Sequence, residues 1–221
     1  MNKDFWQARW AEGRIGFHLP MVNPNLVEHK ARLLSETTSG TVLVPLCGKT
    51  LDLIFLKETG LRIIGIEIVE QAIIEFFQES KLDFIIEESS DFKVYKSQNL
   101  ELWHGDIFDL EKLDLKIDFI FDRASIVALE QSLRDRYAGL MNSITSEGCR
   151  KLLLSFDYNQ NDMSGPPFSV PESAIREYYE SHWLIEKIQS TDIIAKAERF
   201  AERGLKSFIE EAYLLERNST A

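Results

Sequence analysis

The chain has 221 residues, 44% of them apolar and 28% charged, enough to bury one sizeable core and ordinary for a globular enzyme. Its formal net charge of −11 repels polyanions, so neither nucleic acid nor an anionic membrane is an expected partner, and no run of about 18 apolar residues is present to span a bilayer. Two cysteines, Cys47 and Cys149, without a paired motif give no zinc or redox signature, so no metal site is expected, and a reducing cytoplasm is the expected compartment.

Residues 4–12 read as a helix carrying Phe5, Trp6 and Trp10, Gly13 to Pro24 as irregular, and 25–36 as a second helix. Strands and helices then alternate. Thr41 to Val44 is a strand and 50–58 a helix. RIIGIEI (62–68) is a buried strand and VEQAIIEFFQES (69–80) a helix. The stretch 82–104 reads as short strands or loops, and KIDFIFD (116–122) as another buried strand. Ile126, Leu129, Leu133, Tyr137, Leu140 and Ile144 recur at steps of three and four, which predicts a helix beginning at Ser125. KLLLSFD (151–157) is a strand, 158–171 a polar, proline-rich loop, and 172–181 a helix. WLIEKIQ and SFIEEAYLLE close the chain as two strands. Strand alternating with helix implies a mostly parallel sheet covered on both faces, an α/β doubly wound fold.

The turn after the first strand, Leu46-Cys47-Gly48-Lys49-Thr50, invites a phosphate-loop reading, which fails because Leu43 stands where GxxxxGK[ST] needs its first glycine. The dinucleotide pattern GxGxxG fails as well, since only Gly48 is present. What remains is a one-glycine turn, with Glu67 ending the second strand. A carboxylate there can accept both hydroxyls of a ribose, or it can cap the following helix. A ribose without a phosphate-binding turn points to a nucleoside cofactor such as S-adenosyl-L-methionine. Asp106, after the strand ending near His104, can accept an adenine amino group while Ile107 packs the ring, or it can serve only its own turn.

The blocks FWQARWAEGRIGFH, VPLCGKTLD, GIEIVEQAIIEFF, GDIFDL, FDRASIVAL, GPPFSVP and AYLLE occur in this order over nearly the whole chain. Together they resemble the thiopurine S-methyltransferases. The resemblance implies a single domain, 1–221, on the Rossmann-like seven-stranded sheet of the class I methyltransferases. Residues 1–36 would form an N-terminal helical lid and 41–221 the core. It implies S-adenosyl-L-methionine as cofactor, S-adenosyl-L-homocysteine as product and a small-molecule thiol as methyl acceptor, with a monomer as the expected state. Carried onto this sequence, cofactor contacts fall on Trp6, Trp10, Phe17, Leu46, Glu67, Asp106, Ile107 and Arg123, and the substrate side on Phe17, Arg123 and Arg199. Trp10, Phe17 and Phe168 are the aromatics expected to wall a dry pocket, with 158–171 at its rim or serving only as a stiff connection. Structural alternatives stand beside these roles: Trp6 and Trp10 as core aromatics, Arg123 as the ion-pair partner of Asp122, Arg199 as a solvated charge. Methylation of tellurite, selenite or a halide on the same scaffold, and cofactor sensing without turnover, are the alternative functions.

Overall fold

The computed structural model describes residues 3–35, 37–89 and 91–219. Residues 1, 2, 36, 90, 220 and 221 lie outside these; the expected N-terminal segment, second helix, 82–104 stretch and chain end each fall partly on them. Two helices come first, α1 (Lys3–Ala11) and α2 (Pro24–Leu34). The start of α2 is fixed by Asn23, whose Oδ1 accepts from the Asn25 amide at 2.9 Å, and by Pro24 in the first turn. Then follow β1 (Thr41–Val44), α3 (Asp52–Lys57), β2 (Arg62–Glu67), α4 (Glu70–Ser80), β3 (Ile85–Glu88), β4 (Lys93–Ser97), β5 (Leu100–His104) and β6 (Ile117–Arg123). The chain closes with α5 (Gln131–Ile144), β7 (Thr145–Asp157), α6 (Glu172–Tyr179), β8 (Trp183–Asp192), α7 (Glu198–Ala201) and β9 (Ile209–Arg217).

The strands form one sheet in the order β3-β4-β5-β2-β1-β6-β7-β9-β8. β1 lies parallel to β2 and β6, β2 to β5, and β6 to β7, while β9 runs antiparallel between β7 and β8. The run β5-β2-β1-β6-β7-β9-β8 supplies seven strands, and the expectation of seven is exceeded because β4 and β3 add to β5 as an antiparallel meander. The stretch 82–104 thus builds three strands of one edge.

Alternation along the central strands sends side chains to two separate apolar layers. Leu43, Ile64, Ile120 and Leu153 pack on one face with Tyr137, Leu140 and Ile144 of α5 and Ile175 of α6. Val42, Val44, Ile63 and Phe121 pack on the other with Leu33 of α2, Leu53 and Leu56 of α3, and Ile73 and Phe77 of α4. The apolar steps of three and four in α4 are the stripe that meets this second face. Gly65 sits where the sheet is tightest: a Cβ there would stand 2.6 Å from Leu102 Cδ2 and 2.8 Å from Cys47 Sγ.

The helix expected from Ser125 is corrected. Residues 126–128 form one 3-10 turn, Leu129 is extended, and α5 begins only at Gln131. Ile126 and Leu129 are apolar because both are buried in the first layer, and a three-residue step suits a 3-10 turn as well as an α-helix. The break is held by Arg134, whose Nε donates to the Leu129 carbonyl at 3.0 Å.

Candidate active site at the strand ends

The carboxyl ends of β1, β2 and β6 open into a cleft of about 1060 Å³, its open mouth included. Two strand ends turn into it through backbone that non-glycine residues seldom adopt: Leu46 after β1 has φ 46°, and Ala124 after β6 has φ 61°. The two turns are clipped together by Ser125, whose hydroxyl donates to the Pro45 carbonyl at 2.8 Å, and the first is tied to β2 by the Cys47 amide, which donates to the Ile66 carbonyl at 2.9 Å.

Glu67 ends β2 with only 6% of its surface exposed, and it lines the cleft. Its Oε2 accepts from the Gly48 amide and its Oε1 from the Val69 amide, both at 2.8 Å. One carboxylate therefore orients the turn after β1 and the segment leading into α4, bonding the Val69 amide ahead of the helix rather than capping its first turn. Each oxygen keeps a lone pair for a further donor, such as a ribose hydroxyl. Burial pushes the carboxyl up to about 7, against the amides of Val69, Gly48 and Ile68, which hold it down.

Arg123 ends β6 and lines the same cleft. Burial lowers its affinity for a proton, Asp52 and Glu210 counter this, and Arg199 adds to it. Both acids are engaged elsewhere: Asp52 accepts from the Asn23 amide and the Thr50 hydroxyl, each at 2.7 Å, and Glu210 from Asn25 Nδ2 at 3.1 Å. The alternative pairing of Arg123 with Asp122 is excluded by strand alternation. Asp122 points to the other face, where it accepts from Lys151 Nζ and the Tyr137 hydroxyl at 2.8 Å each.

The N-terminal segment lies across the first turn. Phe17 meets Trp6 and Trp10 edge to face, with ring centres 5.7 and 6.0 Å apart, and all three line the cleft. Trp10 is buried against Ile68, Val69 and Ala72, so it is both packing and wall. A Cβ on Gly48 would come within 3.2 Å of the Trp10 ring, which explains the single glycine of that turn. Lys49 lies 6.0 Å from the Trp10 ring centre while pairing with Glu75 and Glu79 at 2.9 and 2.6 Å. On the far side Arg199 donates to the Gly16 carbonyl and lies over the Phe200 ring at 4.5 Å, so this exposed charge ties α7 to the N-terminal segment.

Of the residues singled out by sequence, Trp6, Trp10, Phe17, Leu46, Glu67, Arg123 and Arg199 meet in this one cleft. Asp106 lies outside it. It caps the 3-10 turn 107–112 by accepting from the Phe108 amide at 3.1 Å, and it lines a neighbouring open cavity with Phe92 and His104. Ile68 lines both cavities and so stands between them. The Ile107 side chain is buried in the first apolar layer and lines neither. Phe168 is corrected as a wall residue: it packs on Gly165 and under Arg134, 5.6 Å from its guanidinium carbon, while Pro166, Pro167, Phe156 and Phe200 face the cleft instead. Sequence reasoning passed over Phe156, Phe200, Arg9 and Arg203. Phe156 was readable as the penultimate residue of a strand; the others stand on helical or loop segments whose spacing carries no such signal.

The residues fit a nucleoside carrying a cationic sulfur: a buried carboxylate at a strand end, an apolar aromatic wall, and a second cavity beyond Ile68 for a flat base. The family model described as thiopurine S-methyltransferase matches residues 1–218. The thiopurine S-methyltransferase of Pseudomonas aeruginosa is 41% identical over 218 residues, 98% of this chain and 100% of the relative. That of Azotobacter vinelandii is 39% identical over the same shares. Among solved structures, Burkholderia thailandensis 1,6-didemethyltoxoflavin-N1-methyltransferase, with S-adenosylhomocysteine bound, superposes with a TM-score of 0.64 at 12% identity, covering 98% of this chain and 87% of that one.

Proposed function

The chain belongs to the thiopurine S-methyltransferase family, and we propose that its cleft transfers a methyl group from S-adenosyl-L-methionine to aromatic and heterocyclic thiols such as thiopurines. The observation that carries this reading is that the buried Glu67 carboxylate at the end of β2 and Arg123 at the end of β6 line one cleft together with Trp6, Trp10 and Phe17. The cofactor supplies an electrophilic methyl on a sulfonium; the thiolate's electron pair forms the new S–C bond, and the pair of the broken bond returns to the cofactor sulfur, leaving S-adenosyl-L-homocysteine.

Glu67 is the group that tethers the ribose, with Leu46 and Gly48 shaping the turn beneath it. In this reading Asp106, which lines the neighbouring cavity with Ile68, accepts from the adenine amino group. Trp6, Trp10 and Phe17 cover the reacting centre and exclude water, in the manner of a lid. Arg123 favours the thiolate over the thiol, because a nearby cation lowers an acid's pKa. A thiol starts near pKa 8.5, about two units closer to neutrality than a lysine ammonium, so no general base is required. The main contribution is alignment of sulfur, methyl and leaving group, which in well-oriented systems is worth about 7–11 kcal/mol.

The test is a panel assay with methyl-labelled S-adenosyl-L-methionine against thiophenol-type thiols, thiopurines, metalloid oxyanions and halides. Methyl transfer to the thiols, lowered in Arg123→Ala without loss of fold, is the expected result. Transfer to anions alone, or cofactor binding without transfer to any acceptor, would overturn it.

A further inference from the structure

The cleft collects positive charge that its surroundings offset only in part. Four guanidinium groups line it, those of Arg9, Arg123, Arg199 and Arg203, against Glu67 as the one lining carboxylate among the described residues. This stands in a chain whose net charge is −11. Among the described residues neither Arg9 nor Arg203 forms an ion pair or donates a side-chain hydrogen bond, and Arg9 Nε is buried without any partner. The nearest acid to Arg9, Glu12, is taken by Arg14. Burial, then the charges of Arg14 and Arg203, hold the Arg9 guanidinium below its ordinary pKa, and burial, then Arg9 and Arg203, do the same to Arg199. The cluster is thus mutually repulsive when nothing is bound.

Loading the cofactor does not relieve it. The amino-acid group of S-adenosyl-L-methionine carries one carboxylate and one ammonium, which cancel, and its sulfonium adds a positive charge. A thiolate acceptor brings one negative charge, which belongs near the methyl and Arg123. Arg9 lies over the Phe5 ring, 5.5 Å from its centre, but among the described residues neither Arg9 nor Arg203 has an anionic partner of its own.

We propose that Arg9 and Arg203 form a subsite for a second anionic group on the acceptor, so that the preferred substrates are arylthiols that also carry a carboxylate. The inference rests on the thiol-methylating reading above. Guanidinium groups suit a carboxylate because their paired N–H donors match its two oxygens.

The experiment compares 3-mercaptobenzoate with 3-mercaptobenzamide, an acid and a neutral analogue of the same shape, at a pH above both thiol pKa values. Turnover of the amide alone tests whether thiols are methylated at all; the acid-to-amide ratio of kcat/KM tests the subsite. In the wild type the ratio is expected to be about tenfold or more, the value of one charge-assisted contact. In Arg9→Gln/Arg203→Gln it should fall toward unity, mainly through KM, and high salt should lower it in the wild type. Because each ratio is taken within one enzyme preparation, partial misfolding cancels. A wild-type ratio near or below unity would overturn the proposal. So would a ratio unchanged in the double variant while S-adenosyl-L-homocysteine affinity falls, which would assign both arginines to the cofactor.

Discussion

Glu67, the group proposed to hold the ribose, is first a structural side chain. Its carboxylate is held by two amides from two different segments, so it is already aimed before any ligand arrives. Its pKa is raised from 4.5 to about 7 by burial. The folded chain therefore holds this proton more tightly than the unfolded one, and folding stability from this group falls as pH rises from 4.5 to about 7. Ribose hydroxyls donate to the ionised form, so ligand binding favours proton release. S-adenosyl-L-homocysteine affinity should increase with pH up to about 7 and level off above it, by at most about tenfold per pH unit. Calorimetric titration across this range checks the slope, and Glu67→Ala should lose about 1.5–3 kcal/mol of binding together with the slope. A flat profile in the wild type would remove the ribose from Glu67. The residue was legible in the sequence because it ends a short strand that is apolar from Ile63 to Ile66. Its amide partners were not, because they depend on how the turn after β1 folds back on β2.

At the scale of elements, the central strands were readable because burial on both faces leaves near-continuous apolar runs. RIIGIE is the clearest case: Ile63, Ile64, Gly65 and Ile66 are all buried. The segment after Arg123 was misread because apolar steps of three and four report burial, and burial there is met by a 3-10 turn and an extended residue. Gly65 was read only as part of the run, yet its missing side chain is what lets β2 approach Leu102 of β5 and the turn at Cys47. Gly65→Ala should cost about 1–3 kcal/mol through overpacking of a core that cannot yield freely. Urea denaturation measures this; a midpoint equal to wild type at unchanged slope would show that Leu102 and Cys47 move aside without strain.

At the scale of the whole molecule, nine strands among the described residues form one sheet whose two faces are held by separate apolar layers, and the cleft opens where β1, β2 and β6 end. Behind the cleft lies a fully buried ion pair. Asp122 and Lys151 each have 0% side-chain exposure; Asp122 also accepts from the Tyr137 hydroxyl, and Lys151 also donates to the Tyr179 hydroxyl. Lys151 was invisible as a buried residue in sequence, since a lysine at the start of an apolar strand reads as its solvated end. Lys151→Met leaves a buried charge without its partner and should destabilise the fold by about 3–5 kcal/mol, while Asp122→Leu/Lys151→Met should recover most of that loss. Thermal melts of the two variants separate the outcomes; equal melting of the single variant and wild type would mean that the pair contributes nothing.

The measurement that bears most directly on this account is a crystal structure with S-adenosyl-L-homocysteine. It should show both ribose hydroxyls within hydrogen-bond distance of Glu67, the base beyond Ile68 beside Asp106, and the sulfur facing the space between Phe17 and Arg123. An adenosine bound away from the ends of β1 and β2, with Glu67 still engaged only by its two amides, would contradict it.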